Sequence, residues 1–158
     1  EIAVLKSTAA VLGWDQETYM PDRALGHRAR QLSYLSTKAH ALATSAKFRQ
    51  ALEKAASVPA DSERERANLR EWQLQLEGAR RIPGSLVAEE SAVTSLAKAA
   101  WAEARRKSDF TLFAPHLERV IELARRKADL WGYSDEPYDA LLVEYERGAR
   151  TRDVAALF

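Results

Sequence analysis

Three histidines, His27, His40 and His116, are the side chains of this sequence best suited to hold a metal ion or carry a proton. Paired ligands on one helix face stand three or four positions apart, as in His-Glu-x-x-His, and no two of these histidines do. Spacing therefore places them as scattered helix residues, and no metal site is expected within the chain. Carboxylates cluster at Asp15/Glu17, Glu89/Glu90 and Asp139/Glu144/Glu146. Paired carboxylates can do acid–base work, but in a chain whose charged residues make up 30% they are expected as solvated faces and helix caps. Two charges stand out because they fall on apolar stripes: Arg28 between Leu25 and Leu32, and Glu90 between Leu86 and Val93. A buried charge is costly unless paired, so each should face a partner or a water-filled cleft. One reading of Arg28 is a substrate contact; the preferred one is a structural ion pair tying two helices. There is no cysteine, hence no thiolate ligand, thiol nucleophile or disulfide framework. No glycine-rich phosphate loop, Gly-x-Ser-x-Gly elbow or Ser/Thr-Lys nucleophile motif occurs. No residue of the chain is assigned a catalytic, cofactor-binding or metal-binding role.

The elements that position these residues are helices. Phe113, Leu117, Val120, Ile121, Ala124, Ala128 and Trp131 form one apolar stripe at helical spacing, and Gly132 supplies its stop. Leu69, Trp72, Leu76 and Ala79 form a second, entered through the capping box Ser62-x-x-Glu65. Leu86, Val93, Leu96, Ala97, Ala100 and Ala104 form a third, and Leu25, Leu32, Leu35, Ala39 and Leu42 a fourth. No alternating Val/Ile/Thr run and no Asn-Gly or Asp-Gly hairpin signal is present. The pattern predicts helices near 1–13, 22–43, 45–57, 62–81, 84–107, 111–131, 137–147 and from 151 onward. Gly13 is expected to end the first, with Trp14 buried at the turn. Ser108 or Asp109 should cap the helix that follows, with Phe110 and Phe113 anchoring its first turn. Short connections imply antiparallel hairpins, so the expected fold is an all-α bundle, one helical domain over 1–158.

Arginine-rich runs at Arg80-Arg81, Arg105-Arg106-Lys107 and Arg125-Arg126-Lys127 suggest nucleic acid at first sight. They lie near helix C-termini, where cations complement the macrodipole, and the net charge is only +1. Neither a nucleic-acid nor a membrane partner is expected. No apolar run approaches the ~20 residues of a membrane span. The chain opens at Glu1 directly on apolar-periodic sequence and stops about two turns into a helix, so both ends read as cut and the chain as a fragment.

The stretch Leu12-Gly13-Trp14-Asp15-Gln16-Glu17-Thr18-Tyr19-Met20-Pro21 resembles the opening signature of the M32 zinc metallocarboxypeptidases, the thermostable carboxypeptidase Taq-like family. Four further blocks are similar to that family and follow in order. They are Arg28-Ala29-x-Gln31-Leu32-x-x-Leu35 with His40, Ile82-Pro83-x-x-Leu86-Val87-x-Glu89, Trp101-x-x-Ala104-Arg105 leading into Ser108-Asp109-Phe110-x-x-Phe113-x-Pro115-x-Leu117-Glu118, and Tyr138-Asp139-Ala140-Leu141-Leu142-x-Glu144-Tyr145-Glu146. Two departures occur: Glu146-Arg147-Gly148 stands where the family usually has Glu-Pro-Gly, and His40-Ala41 where it often has His-Glu. The resemblance implies an amino-terminal helical part of a larger peptidase, forming one wall of a deep cleft. It implies a zinc-activated water with a glutamate general base, a His-Glu-x-x-His zinc helix downstream of the matched region, and no zinc in this chain. It further implies peptide substrates shortened by single C-terminal residues and a homodimer; the absence of cysteine is compatible with the cytoplasmic location expected. The alternative is a non-enzymatic helical interaction or scaffold module.

Overall fold

Two helix starts in this chain are made by serine side chains that accept from free backbone donors. A computed structural model describes all residues, 1–158. It contains eight α-helices: α1 (Ile2–Thr18), α2 (Leu25–Ala43), α3 (Ala46–Ala56), α4 (Glu63–Arg81), α5 (Gly84–Lys107), α6 (Ala114–Trp131), α7 (Pro137–Leu142) and α8 (Thr151–Ala155). Single 3-10 turns at Asp22–Ala24 and Phe110–Leu112 lead into α2 and α6. Ser45 caps α3 by accepting from the Phe48 N–H. Ser62 caps α4 by accepting from the Glu65 N–H at 3.2 Å. The expected capping box closes one residue early, because the Glu65 carboxylate accepts from the Asp61 N–H at 2.8 Å.

The chain divides into two compact units, Glu1–Leu96 and Ala97–Phe158, with α5 running from the first into the second. In the first unit α1 packs on α2, α3 on α4, and α4 on α2. Its buried apolar side chains are Ala29, Ala39, Leu52, Leu76, Ile82 and Leu86. In the second, α6 packs on α7, over a core of Ala97, Ala104, Leu123, Ala128, Ala140 and Leu142. The fold is all-α, as the periodicity implied.

Four expectations are corrected. First, α1 does not stop at Gly13 but continues to Thr18. Gly13 sits in open space with ordinary helical backbone, so nothing there calls for a glycine. The helix ends where the Tyr19 and Met20 N–H groups both turn back to the Asp15 carbonyl, ahead of Pro21. Second, α7 closes at Leu142 rather than 147, and turns follow up to Gly148 at φ +92°. Third, the α6 stripe is centred on Leu123 and Ala128, whereas Ile121 is exposed. Fourth, on α5 the side chain facing inward is Ser95, while its neighbour Leu96 faces out.

The end of α5 is also particular. The Ser108 N–H donates to the Arg105 carbonyl at 3.2 Å and the Asp109 N–H to the Ala104 carbonyl at 2.9 Å. This paired closure needs a left-handed residue at its centre, and here that residue is Ser108, at φ +53°. A side chain in that conformation carries a steric cost that glycine does not. Ser108→Gly is expected to stabilise the protein by about 1 kcal/mol, read as a rise in the denaturant midpoint at unchanged slope. Asp109 then caps the next turn by accepting from the Thr111 N–H at 3.0 Å.

Candidate functional site

The signature stretch 12–21 is the candidate site, and its side chains divide between the interior and the solvent. Asp15 and Gln16 point inward, each to a different helix. The Asp15 carboxylate accepts from Arg28 Nη2 at 2.6 Å. The same guanidinium donates through Nη1 to the Leu12 carbonyl, and through Nε to Gln31 Oε1 at 3.1 Å. Arg28 as a whole is 9% exposed. Every nitrogen of the fork is thus engaged, by the last turns of α1 on two sides and by its own helix on the third. Its ion-pair partner is Asp15 and not Glu90, which sits half-buried on α5. This is a helix-tying pair with the planar, multidentate geometry that arginine provides and lysine does not.

Gln16 makes a reciprocal pair with Ser95. Its amide Nε2 donates to the Ser95 carbonyl, and the Ser95 hydroxyl donates to Gln16 Oε1, both at 2.8 Å. Ser95 is 3% exposed, so both groups are satisfied inside the protein and not by bulk water. This contact explains why a serine replaces an apolar residue at the buried position of α5. Gln16→Leu strands the Ser95 hydroxyl and is expected to cost about 1–2 kcal/mol. Adding Ser95→Ala should recover most of that loss, which a double-mutant cycle in denaturant unfolding measures.

Further along, Ser33 Oγ donates to the Ala88 carbonyl at 2.9 Å, and the Ser36 and Ser91 hydroxyls lie 3.2 Å apart. At the C-terminal end of α2, His40 lies over Gly84 at the start of α5; a methyl on Gly84 would sit 3.9 Å from the imidazole Cδ2. His40 is therefore a half-buried packing residue. His27 is exposed and His116 half-buried, on α2 and α6 respectively. No group of three His, Asp or Glu side chains is gathered as a metal ion requires.

Trp14 of the signature, expected to be buried, is not. Trp14 is 58% exposed and meets Tyr19 edge-on, ring centroids 5.5 Å apart. Phe110 is likewise exposed and edge-on to half-buried Phe113 at 6.3 Å. Two carboxylates of the last cluster, Asp139 and Glu144, make tethering contacts. Asp139 accepts from both the Thr151 hydroxyl and the Thr151 N–H, each at 2.6 Å, and so tethers the start of α8. Glu144 pairs with Lys127 at 3.2 Å, and that ammonium also sits 4.9 Å from the Trp131 ring centroid, joining α7's exit to α6.

The Thr151 hydroxyl, with its N–H, holds the Asp139 carboxyl below its usual pKa. A carboxyl lowered on folding contributes stability above its unfolded value and loses that contribution as pH falls through the folded one. Acidification below the ordinary carboxyl range should therefore release α8 first, seen as faster hydrogen exchange at the Thr151 amide than in α6.

Taken together, the contacts of Asp15, Gln16 and Arg28 hold α1 against α2 and α5. The chain is 42% identical over 149 residues to a protein named thermostable carboxypeptidase 1 of Pyrococcus furiosus, a match covering 94% of this chain and 30% of that protein. A protein of the same name from Thermus thermophilus is 38% identical over 170 residues, with 100% and 33% covered. Among solved structures, the BsuCP crystal structure superposes with a TM-score of 0.90 at 31% identity, over 99% of this chain and 32% of that one. The structure of the Pyrococcus furiosus carboxypeptidase superposes at 0.76 with 41% identity, over 99% and 32%. The chain thus spans about a third of the length of these relatives. The family model described as Carboxypeptidase Taq (M32) metallopeptidase matches residues 1–158 throughout, and the chain belongs to that family.

Proposed function

We propose that this chain is the amino-terminal helical part of a metal-dependent carboxypeptidase that removes single residues from peptide C-termini. Its helices form a wall of the substrate cleft. The metal, zinc in this reading, is held by a His-Glu-x-x-His helix outside residues 1–158, and this part alone is inactive. The whole protein works as a cytoplasmic homodimer on peptides. The observation that supports the reading is the family match over all 158 residues, made by a chain spanning 30–33% of two relatives named carboxypeptidase. The arrangement of the signature agrees with it: Asp15, Gln16 and Arg28 are committed to packing α1 against α2 and α5.

The test is to express the whole reading frame containing this chain, load it with Zn²⁺ or Co²⁺, and follow a peptide by mass spectrometry. A ladder shortened one residue at a time from the C-terminus, abolished by a chelator and restored by metal, is the expected result. Internal cleavage, or no cleavage by a folded and metal-loaded protein, overturns the proposal. Sedimentation velocity of the same preparation tests the dimer.

A further inference from the structure

Helix α2 carries no aspartate or glutamate in its 19 residues, although the chain as a whole has 23 acidic residues against 24 basic ones. Its basic groups divide in two. Arg28 turns inward to Asp15. His27, Arg30 and Lys38 are exposed, as are Tyr34 and, in the 3-10 turn before the helix, Arg23. At 3.6 residues per turn these five positions fall on one face. They make a stripe about 22 Å long at 1.5 Å per residue.

The cations of this stripe have no carboxylate to pair with. Elsewhere an exposed cation finds one three or four positions away on its own helix: Arg66 pairs with Glu63, Arg106 and Lys107 with Glu103, and Arg119 with Glu122. On α2 that partner does not exist, and Arg23, Arg30 and Lys38 make no ion pair with another element either. The Lys38 ammonium sits instead 5.5 Å from the Tyr34 ring centroid. The Arg30 guanidinium lies back along the stripe toward Gly26. Asp22, adjacent in sequence, lies about a third of a turn round from the stripe.

We propose that this stripe is a docking surface for an acidic segment of a separate polypeptide, lying extended along α2. Charge complementarity selects the chemistry. Spacing supports it, because successive members of the stripe stand about 4.5–6 Å apart, close to the ~6.6 Å between same-side residues of an extended chain. Permanent cover by the protein's own remainder is disfavoured, since enclosing unpaired cations is costly, whereas a reversible contact leaves them partly hydrated. Nucleic acid fits less well. The net charge is +1, and the one aromatic ring of the stripe is already taken by Lys38, which leaves no open platform for a base. The inference does not depend on the peptidase reading.

Fluorescence anisotropy on the whole protein tests this, with a fluorescein-labelled octaglutamate whose C-terminus is amidated as the probe. The triple variant Arg23→Gln/Arg30→Gln/Lys38→Gln removes the stripe's fixed charges. Lys47→Gln/Lys54→Gln/Arg64→Gln removes the same charge from exposed positions of α3 and α4. All six side chains are exposed and make no ion pair, so the fold is left in place. At about 50 mM salt the first triple should weaken binding at least ~10-fold and the second less than ~2-fold, with affinity falling as salt rises. Equal losses in the two triples overturn the proposal, because net charge alone then attracts the probe. Absence of binding by the folded whole protein overturns it too, since the stripe is then covered or idle. Tighter binding of a labelled eight-nucleotide oligothymidylate than of octaglutamate replaces the acidic polypeptide with nucleic acid.

Discussion

Replacing Leu86 by alanine is expected to lower the stability of the protein by about 3–4 kcal/mol. Leu86 is 2% exposed, the largest side chain that solvent does not reach. It sits in the first turn of α5, where its N–H already donates to the Pro83 carbonyl at 3.0 Å and fixes its backbone. Truncation there removes three methyl-equivalents from contact, and the anchored turn has little freedom to collapse into the space. The natural control is Leu96 on the same helix, exposed to the extent of 37%. Leu96→Ala should change stability by no more than about 0.5 kcal/mol. Guanidinium unfolding of both variants at constant slope reports the contrast. Equal losses would mean that the inward face of α5 has been wrongly identified.

Arg28→Ala is expected to cost about 3 kcal/mol. The guanidinium side chain is 11% exposed and that of Asp15 34%, so the pair is shielded on the arginine side and partly open on the carboxylate side. This places the loss at the lower end of what removing one member of a buried pair costs. Most of it comes from what is left behind: the Asp15 carboxylate and the Leu12 carbonyl both lose a donor. Arg28→Lys keeps the charge without the fork and should recover about half of the loss. A cycle with Asp15→Ala isolates the pair, with an expected coupling of about 2 kcal/mol. A coupling near zero would show that Arg28 acts by packing alone.

These two residues also show how far the sequence could be read. Arg28 stood out because a charge interrupted the stripe Leu25, Leu32, Leu35, and a helix-tying ion pair followed from the cost of burying it. Its partner did not follow. Asp15 and Glu90 are equally acidic in sequence, and only the continuation of α1 beyond Gly13 brings Asp15 across from α2. That continuation was missed because glycine is a common helix stop, while nothing local announces a glycine used as an ordinary helix residue. Ser95 was missed for a related reason. An apolar stripe drawn through α5 prefers Leu96, and the preference reverses only because Gln16, 79 positions away, satisfies the serine. Such long-range polar pairs leave no periodic trace. The exposure of Trp14 was hidden differently: a tryptophan at an expected helix end suggests burial, and within this chain no element covers it. By contrast, the ends of α2 to α6 were legible because Ser45, Ser62, Pro83 and Gly132 act locally.

The central claim is that residues 1–158 supply scaffold and cleft wall but no chemistry. It is tested most directly by assaying the whole reading frame and the 1–158 chain side by side, each with added Zn²⁺ and a peptide substrate. The account predicts release of single C-terminal residues by the former, sensitive to chelation, and none by the latter. Metal-dependent release of C-terminal residues by 1–158 alone would contradict it.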